Sequence, residues 1–391
     1  MTQTLTFTKH IKAPIGHVYH AFATKSGWLD WYGYKAGGKV AKNRVLQITA
    51  ADSEDFLFHF LALEKDRSIT FNILELDNYQ KAEAHIALSG TDGDVTVSIT
   101  LTTDAEKLLH TLSEIWEKSL VNLQSIIETG QDPTFMDRPF MGVTVQGWHT
   151  PELAKEKDLP VEYGMQLNSV LDDGGAKQAG IDHKDIITAL DGTEIHNMEN
   201  LQAVYDQHQP GDTISVDFYH GSELKQSRLI LGRYPTPKIP ANAQDLADTM
   251  NGYFEKANTK INRLLEGQSE AQFDYSPDGG EWNAKQIMAH LIADFTDTTA
   301  WLGSYINGQP VAAHTSTHPA RIKTILSLYP TMPELLDTFK KNQKELVAYL
   351  EAIPAEVSSR KSSLATLAFT MQSEFNHHYV NHFNQLKETL A

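Results

Sequence analysis

The sequence predicts a multidomain protein with an α+β domain over residues 1–130, a small β-barrel with helices over residues 135–234, and an all-α four-helix bundle over residues 241–391. Two stretches divide the chain. Thr129-Gly130-Gln131-Asp132-Pro133 ends a helical pattern, since glycine often ends helices and proline prevents their return. Pro235-Thr236-Pro237-Lys238-Ile239-Pro240 is rich in proline and favours an extended linker. The length of 391 residues agrees with two to four domains, at roughly 100–200 residues each.

The composition narrows the class of protein. Hydrophobic residues make up 41% of the chain and charged residues 21%, which is ordinary for globular domains. The formal net charge of −17 is a poor match for nucleic acid or anionic lipid, so we expect neither as a partner. The absence of cysteine excludes disulfides, thiolate metal ligands and a cysteine nucleophile. With no visible signal peptide and no apolar run long enough to span a bilayer, we expect a cytoplasmic protein.

The first domain begins with strands and ends with a long helix. An alternating stretch over residues 4–11 predicts a strand, and a helical pattern follows over residues 17–22. A strand meander comes next, over residues 45–48, 56–63, 68–74, 85–88 and 95–101. Apolar residues at three- and four-residue steps predict the closing helix over residues 104–128. This order predicts a sheet layered against one helix.

Three phrases of this domain resemble the SRPBCC (START-like) family, which has the α+β helix-grip fold. They are IKAPIGHVYHAF at residues 11–22, GWLDW at 27–31 and WEKSLVNL at 116–123. The most similar branch is related to the C-terminal domain of ninety-kilodalton heat-shock-protein ATPase activators. The resemblance implies an apolar cavity between sheet and helix, which could take a hydrophobic ligand or a client chain. Trp28, Trp31, Tyr32 and Phe60 would line that cavity; the alternative, which we favour, is that they fill the core.

The middle domain consists of short strand patterns separated by turns. Turn residues lie at 173–175, 191–192, 209–212 and 220–221, and one short helix fits residues 198–208. Phe140-Met141-Gly142-Val143 is an apolar loop around a glycine, whose missing Cβ lets backbone amides converge on a carboxylate.

These motifs, in this order, resemble PDZ domains, especially those attached to bacterial HtrA-type proteases. The resemblance implies that Phe140, Met141, Gly142 and Val143 bind the C-terminal carboxylate of a peptide or protein. The peptide would add as a strand beside the helix that carries Asn200 and Val204, which we expect to face the groove. The alternative is a tight turn in a module without a ligand. The flanking domains lack the motifs of a serine protease.

The third domain has four helical patterns, over residues 243–265, 283–306, 333–350 and 364–390. His378 and His382 are four residues apart on the last helix, so both imidazoles can reach one metal ion. Glu374 lies one turn earlier on the same face. His290 follows apolar positions of the second helix and should face the bundle interior, with Asp294 one turn beyond it.

Two phrases resemble the DinB-like (DinB/YfiT) four-helix bundles, namely EWNAKQIMAHL at residues 281–291 and HYVNHFNQL at 378–386. The resemblance implies a divalent metal, zinc or nickel, bound by His290, His378 and His382. It also implies a metal-dependent hydrolase or a thiol-dependent transferase. Glu374 would then be the catalytic base or would orient a ligand. The alternative is chance spacing among 17 histidines.

Two functions remain open from the sequence. In the first, the bundle is an enzyme and the other domains deliver its substrate. In the second, the chain is a non-enzymatic adaptor or a stress-related, co-chaperone-like binding protein. Metal binding without peptide binding would favour the first, and the reverse the second.

Overall fold

The structure is a computed structural model that describes residues 2–50, 54–136, 138–156, 158–276, 282–309 and 315–390. The chain forms two compact units, one of Met1–Asp132 with Pro237–Ala391 and one of Pro133–Thr236. Three separate hydrophobic cores lie in the three predicted domains. The predicted fold class is confirmed, while the three domain boundaries stay a prediction. Within the described ranges, no helix is long and apolar enough to cross a membrane.

The N-terminal domain is a seven-stranded antiparallel sheet against one long helix. Its strand order is β1-β7-β6-β5-β4-β3-β2. Side chains alternate between buried and exposed along the strands, and the buried face packs with the apolar stripe of α3. The sequence missed α2 and β2, which are short. The elements are β1 (Gln3–Ile11), α1 (Ile15–Ala23), α2 (Lys25–Trp31), β2 (Gly33–Gly38), β3 (Val45–Ala50), β4 (Asp55–Glu64), β5 (Ser68–Glu75), β6 (Lys81–Thr91), β7 (Asp94–Thr103) and α3 (Glu106–Thr129).

The middle domain is a small antiparallel sheet with short helices. The order β14-β13-β11-β10-β9 leaves β9 at one edge, β12 pairs with β11, and β8 pairs with β15. The elements are α4 (Pro133–Met136), β8 (Pro139–Phe140), β9 (Val143–His149), α5 (Pro151–Glu156), β10 (Gly164–Val170), α6 (Gly175–Gln178), β11 (Ile186–Leu190), β12 (Thr193–Glu194), α7 (Met198–Tyr205), β13 (Thr213–His220), β14 (Glu223–Ile230) and β15 (Gly232–Arg233).

The C-terminal domain is a helical bundle, as predicted. Its first helix has the predicted bounds, and a capping box of Asn283 and Gln286 begins α10. The predicted last helix is interrupted by a π-helix over Glu374–Tyr379. The elements are α8 (Ala243–Leu265), α9 (Glu270–Phe273), α10 (Ala284–Ile306), α11 (Pro319–Leu328), α12 (Met332–Glu351), α13 (Ala355–Ser358), α14 (Lys361–Ser373), the π-helix and α15 (Val380–Thr389).

Candidate metal centre

The structure brings together the three histidines that the sequence singled out. His290 lies on α10 and is only 1% exposed, His378 lies in the π-helix, and His382 lies on α15. The ring centroid of His290 is 5.0 Å from that of His378 and 4.5 Å from that of His382. The centroids of His378 and His382 are 4.7 Å apart. One ligand atom from each ring lies within 4.8 Å of the others. The three imidazoles therefore converge on one small volume.

The π-helix places His378 between two carboxylates. Glu374 Oε2 lies 3.2 Å from His378 Nδ1. Asp294, from α10, has its Oδ2 3.3 Å from the same nitrogen and also accepts a 2.9 Å hydrogen bond from the Tyr379 hydroxyl. Asp294 and Tyr379 are 2% and 3% exposed, whereas Glu374 is half-buried. A π-turn at such a place is characteristic of functional sites in helices.

The sequence did not assign a role to Asp294, Tyr379 or Trp282. The sequence placed Asp294 one turn beyond His290, and the structure shows it on the buried face of α10. Trp282 lies just before α10, and its ring contacts those of His290 and His382. Nothing in the local sequence connects either residue to the last helix.

The surroundings set the charge of each imidazole. Burial lowers the pKa of His378, but hydrogen bonds and charge from Asp294 and Glu374 outweigh burial and raise it to about 9. Burial lowers the pKa of His382 to about 4, partly offset by a hydrogen bond that His382 Nδ1 donates to the Gln385 amide oxygen. Burial also lowers the pKa of His290. At neutral pH, His290 and His382 are neutral and can offer a lone pair, while His378 carries a proton that a metal ion must displace.

The three histidines fit a divalent metal ion by their hydrogen bonds. His378 Nδ1 faces the two carboxylates, and His382 Nδ1 lies 2.9 Å from the amide oxygen of Gln385. Metal-bound histidines usually have one ring nitrogen held in this way, which leaves the other for the metal. The Nε2 atoms of His290 and His378 are 2.9 Å apart. Tetrahedral zinc, with Zn–N near 2.0–2.1 Å, needs about 3.3 Å, so a small separation of the rings suffices.

A second, overlapping group consists of Asp294, Glu374 and His378, whose ligand atoms also lie within 4.8 Å of one another. It shares His378 with the three-histidine group. Asp294 is buried and accepts a hydrogen bond from the Tyr379 hydroxyl. Its carboxylate is therefore better placed to orient the His378 ring than to bind a separate metal ion.

The predicted peptide-binding loop lies between β8 and β9. Gly142 has φ of +88°, and a Cβ there would lie 2.7 Å from the Cα of Gly174, so only glycine fits. The carbonyl of Gly142 accepts a hydrogen bond from Leu171 N, and that of Met141 from Ala176 N. Phe140 is half-buried, its ring 4.8 Å from that of Tyr234, and Val143 is 6% exposed.

The predicted groove residues of α7 have partners within the domain. Val204 is 3% exposed and packs in the core, and the amide oxygen of Asn200 accepts from His196 N. Burial raises the pKa of Tyr205, while a hydrogen bond from the Met141 backbone amide partly opposes this. The Tyr205 side chain therefore lies beside Met141 of the predicted carboxylate loop.

The aromatic residues proposed to line a cavity lie in the core of the N-terminal domain. Trp28, Tyr32 and Phe60 are fully buried and Trp31 is 4% exposed. The rings of Trp28 and Trp31 stack at 5.2 Å, and Tyr32 contacts both at 5.3 Å. Phe60 packs against Phe71 at 5.3 Å. This mutual packing favours the core interpretation.

Comparisons with known proteins identify two of the three domains. The PDZ domain family matches residues 139–231. The DinB superfamily matches residues 253–386, a range that contains His290, His378 and His382. No curated protein sequence matches the chain.

Solved structures resemble about a third of the chain. CalU16 from Micromonospora echinospora has 16% identity over 31% of this chain and 73% of its own, with a TM-score of 0.28. The Aha1 dimer from Colwellia psychrerythraea has 16% identity over 33% of this chain and 98% of that chain, with a TM-score of 0.29. Likeness at this level carries no information about function.

Proposed function

Since the chain carries a DinB-superfamily domain and a PDZ domain, we propose that the C-terminal bundle is a metal-dependent hydrolase or thiol transferase. His290, His378 and His382 would hold a divalent cation, with zinc or nickel best suited to three imidazole nitrogens. The observation that carries the proposal is that ligand atoms of three imidazoles, from α10, the π-helix and α15, lie within 4.8 Å of one another although α10 is distant in sequence from the other two. The two carboxylates on His378 support it, because such partners orient metal-bound histidines.

The residues around the cluster have separable roles in this proposal. A bound cation would supply a Lewis acid that lowers the pKa of a water or thiol. Asp294, held by Tyr379, keeps the His378 ring oriented. Glu374 is half-buried and can exchange protons with solvent, so we assign it the part of general base. Because the chain has no cysteine, any thiol in the reaction must come from a co-substrate.

Metal content tests this proposal. We expect the purified protein to contain close to one equivalent of a divalent metal, measured by elemental mass spectrometry. His378→Ala should lose most of it, since a three-ligand site becomes a two-ligand site. His110→Ala is the control, because His110 is an exposed histidine on α3 that lies 3.7 Å from Glu114. A parent protein without stoichiometric metal, or equal metal in His378→Ala, contradicts the proposal.

The second candidate is a binding function, and the middle domain supports it. β9 is the edge strand of its sheet and directly follows the Phe140–Val143 loop, so a peptide could pair with its outer edge. An adaptor or co-chaperone-like protein would use this edge to capture the C-terminus of a peptide or protein. The N-terminal domain would add a hydrophobic ligand or client chain, although its aromatic residues pack on one another.

A screen of peptide C-termini tests the binding function. We expect preference among C-terminal residues and loss of binding when the terminal carboxylate is amidated. Gly142→Val should abolish binding because a Cβ there meets Gly174. Gly252→Ala is the control, since Gly252 lies on α8, outside the PDZ domain, and a Cβ there meets nothing within 4 Å. Uniform binding of all C-termini, and of amidated peptides, contradicts a specific carboxylate site.

A further inference from the structure

Trp282 covers one side of the histidine cluster. Its ring centroid is 5.0 Å from that of His290, at 48°, and 6.3 Å from that of His382, nearly parallel at 20°. The residue is half-buried and packs against the core of the bundle. Among the described residues, the Trp282 ring contacts those of His290 and His382 but not that of His378, whose Nδ1 faces the carboxylates of Asp294 and Glu374.

The three imidazoles differ in how firmly hydrogen bonds hold them. His378 has two carboxylates, and His382 has Gln385. His290 Nδ1 is buried and has no hydrogen-bond partner among the residues that the structure describes. The ring with the weakest hydrogen-bond anchor is thus the ring that lies closest to Trp282.

The start of α10 fixes the position of Trp282. The next residue, Asn283, forms a capping box in which its side chain accepts from Gln286 N and its own N donates to Gln286 Oε1. The Asn283 amide also donates to the Asp274 carbonyl. Because this end of the helix is held at several points, the indole is attached to a rigid support, as a residue that orients a site must be.

We infer that Trp282 is a positioning and water-excluding residue of the metal centre, an inference that rests on the proposed metal function. The indole restricts the rotation of the His290 ring where hydrogen bonding is weakest. The face of the indole also lies against the two imidazoles. An imidazole becomes more positive when it binds a cation, and an aromatic face stabilises such positive charge. By covering His290 and His382 it removes water beside the ligands, and the lower local dielectric strengthens their electrostatic interaction with the metal.

The test compares Trp282→Ala and Trp282→Phe with the parent full-length protein. Release of Zn²⁺ to a chromogenic chelator measures metal retention, and the visible absorption of the Co²⁺-loaded protein reports coordination. We expect Trp282→Ala to release zinc about 10-fold faster, as for loss of other groups that support metal ligands. Its Co²⁺ bands should weaken as water enters. Trp282→Phe, which keeps an aromatic face, should stay close to the parent.

Trp301→Ala is the matched control. Trp301 is a half-buried tryptophan of α10 that stacks on Tyr305 at 5.3 Å, and within the described part of the chain its ring does not contact those of the three histidines. We expect it to lose stability without faster zinc release. Equal release rates for the parent and Trp282→Ala overturn the inference but leave the proposed function intact. A parent that binds no zinc overturns both.

Fluorescence keeps the inference testable if Trp282→Ala does not fold. Co²⁺ bound at the three histidines should quench Trp282, because its ring lies within 6.3 Å of two ligand rings. The parent should lose emission on Co²⁺ binding, and Trp282→Phe should lose most of that change although the chain has five other tryptophans. Unchanged quenching in Trp282→Phe, at equal Co²⁺ occupancy, overturns the inference.

Discussion

Asp294 shows how one buried carboxylate can organise a site. A buried negative charge is costly unless it is paired, and Asp294 has both the His378 ring and the Tyr379 hydroxyl as partners. These contacts keep the pKa of Asp294 low although burial raises it. The carboxylate is therefore ionised beside His378 and can fix the orientation of that imidazole.

We predict that Asp294→Asn lowers metal affinity by about 10- to 100-fold, because it removes a charged partner of a metal-bound histidine while preserving side-chain shape. Glu374→Gln should lower it less, because Glu374 is half-buried and its charge is better screened. Competition titrations with a chelator of known affinity give both values. Equal losses in the two variants, or none in either, would contradict a special role for Asp294.

At the scale of elements, the last helix departs most from expectation. The sequence predicts one continuous α-helix over residues 364–390, whereas the structure has α14, a π-helix over Glu374–Tyr379, and α15. A π-turn holds one more residue than the α-turn it replaces, so it rotates the faces of the following helix. Here Tyr379 turns into the core while His378 faces Asp294.

We predict that deleting Asn376, which is exposed within the π-helix, gives a folded bundle with at least 10-fold weaker metal binding. The deletion lets the segment close as an α-helix, so α14 and α15 keep their packing while Glu374 and His378 change their spacing. Circular dichroism would report the fold, and zinc titration the site. Unchanged zinc affinity in the folded variant would show that the π-turn has no part in the site.

At the scale of the whole molecule, the N-terminal domain and the bundle form one unit. The Ser359 hydroxyl lies 3.2 Å from His17 Nε2, and the Lys361 ammonium donates to the Glu128 carbonyl. A Cβ at Gly130, the left-handed residue that ends α3, would lie 2.7 Å from the Lys361 carbonyl oxygen. Gly130, which the sequence indicated only as the end of a helix, therefore also allows α3 and α14 to approach closely.

Asp30 makes this docked unit sensitive to pH. Burial raises the pKa of Asp30 to about 7, although a hydrogen bond from Ser362 and the charge of Arg360 oppose the shift. An unfolded aspartate ionises near 3.8, so between about pH 4 and pH 7 the folded chain holds a proton that the unfolded chain has lost. The free energy of unfolding therefore falls as pH rises through this window and is level above it.

We predict that Asp30→Asn removes this pH dependence and stabilises the unit above pH 7 by about 2 kcal/mol, allowing for the partial exposure of Asp30. Thermal unfolding of the parent and of Asp30→Asn at pH 5 and pH 8 would measure both the pH dependence and the gain in stability. The exposed Asp77 supplies the control, since Asp77→Asn should show the same difference in stability between pH 5 and pH 8 as the parent. A parent that is equally stable at both pH values would contradict the prediction.

Local pattern was enough for much of this protein. Periodicity predicted the fold class, six of the seven strands of the N-terminal sheet and the bounds of α8. The spacing of His378 and His382 predicted that both lie on one face of the last helix. These features depend on neighbours a few residues apart, where side-chain spacing and backbone geometry are coupled directly.

The tertiary structure alone decided which distant groups meet. Asp294 and Trp282 reach the histidines only because α10 packs beside the last helix, and Tyr205 reaches Met141 only through the folding of the middle domain. The π-turn is also decided by tertiary structure. Its residues have ordinary helix propensity, and they form a π-turn because the packing of α14 and of α15 requires the buried face of the helix to rotate between them. Such contacts follow from long-range packing, which a local pattern does not encode.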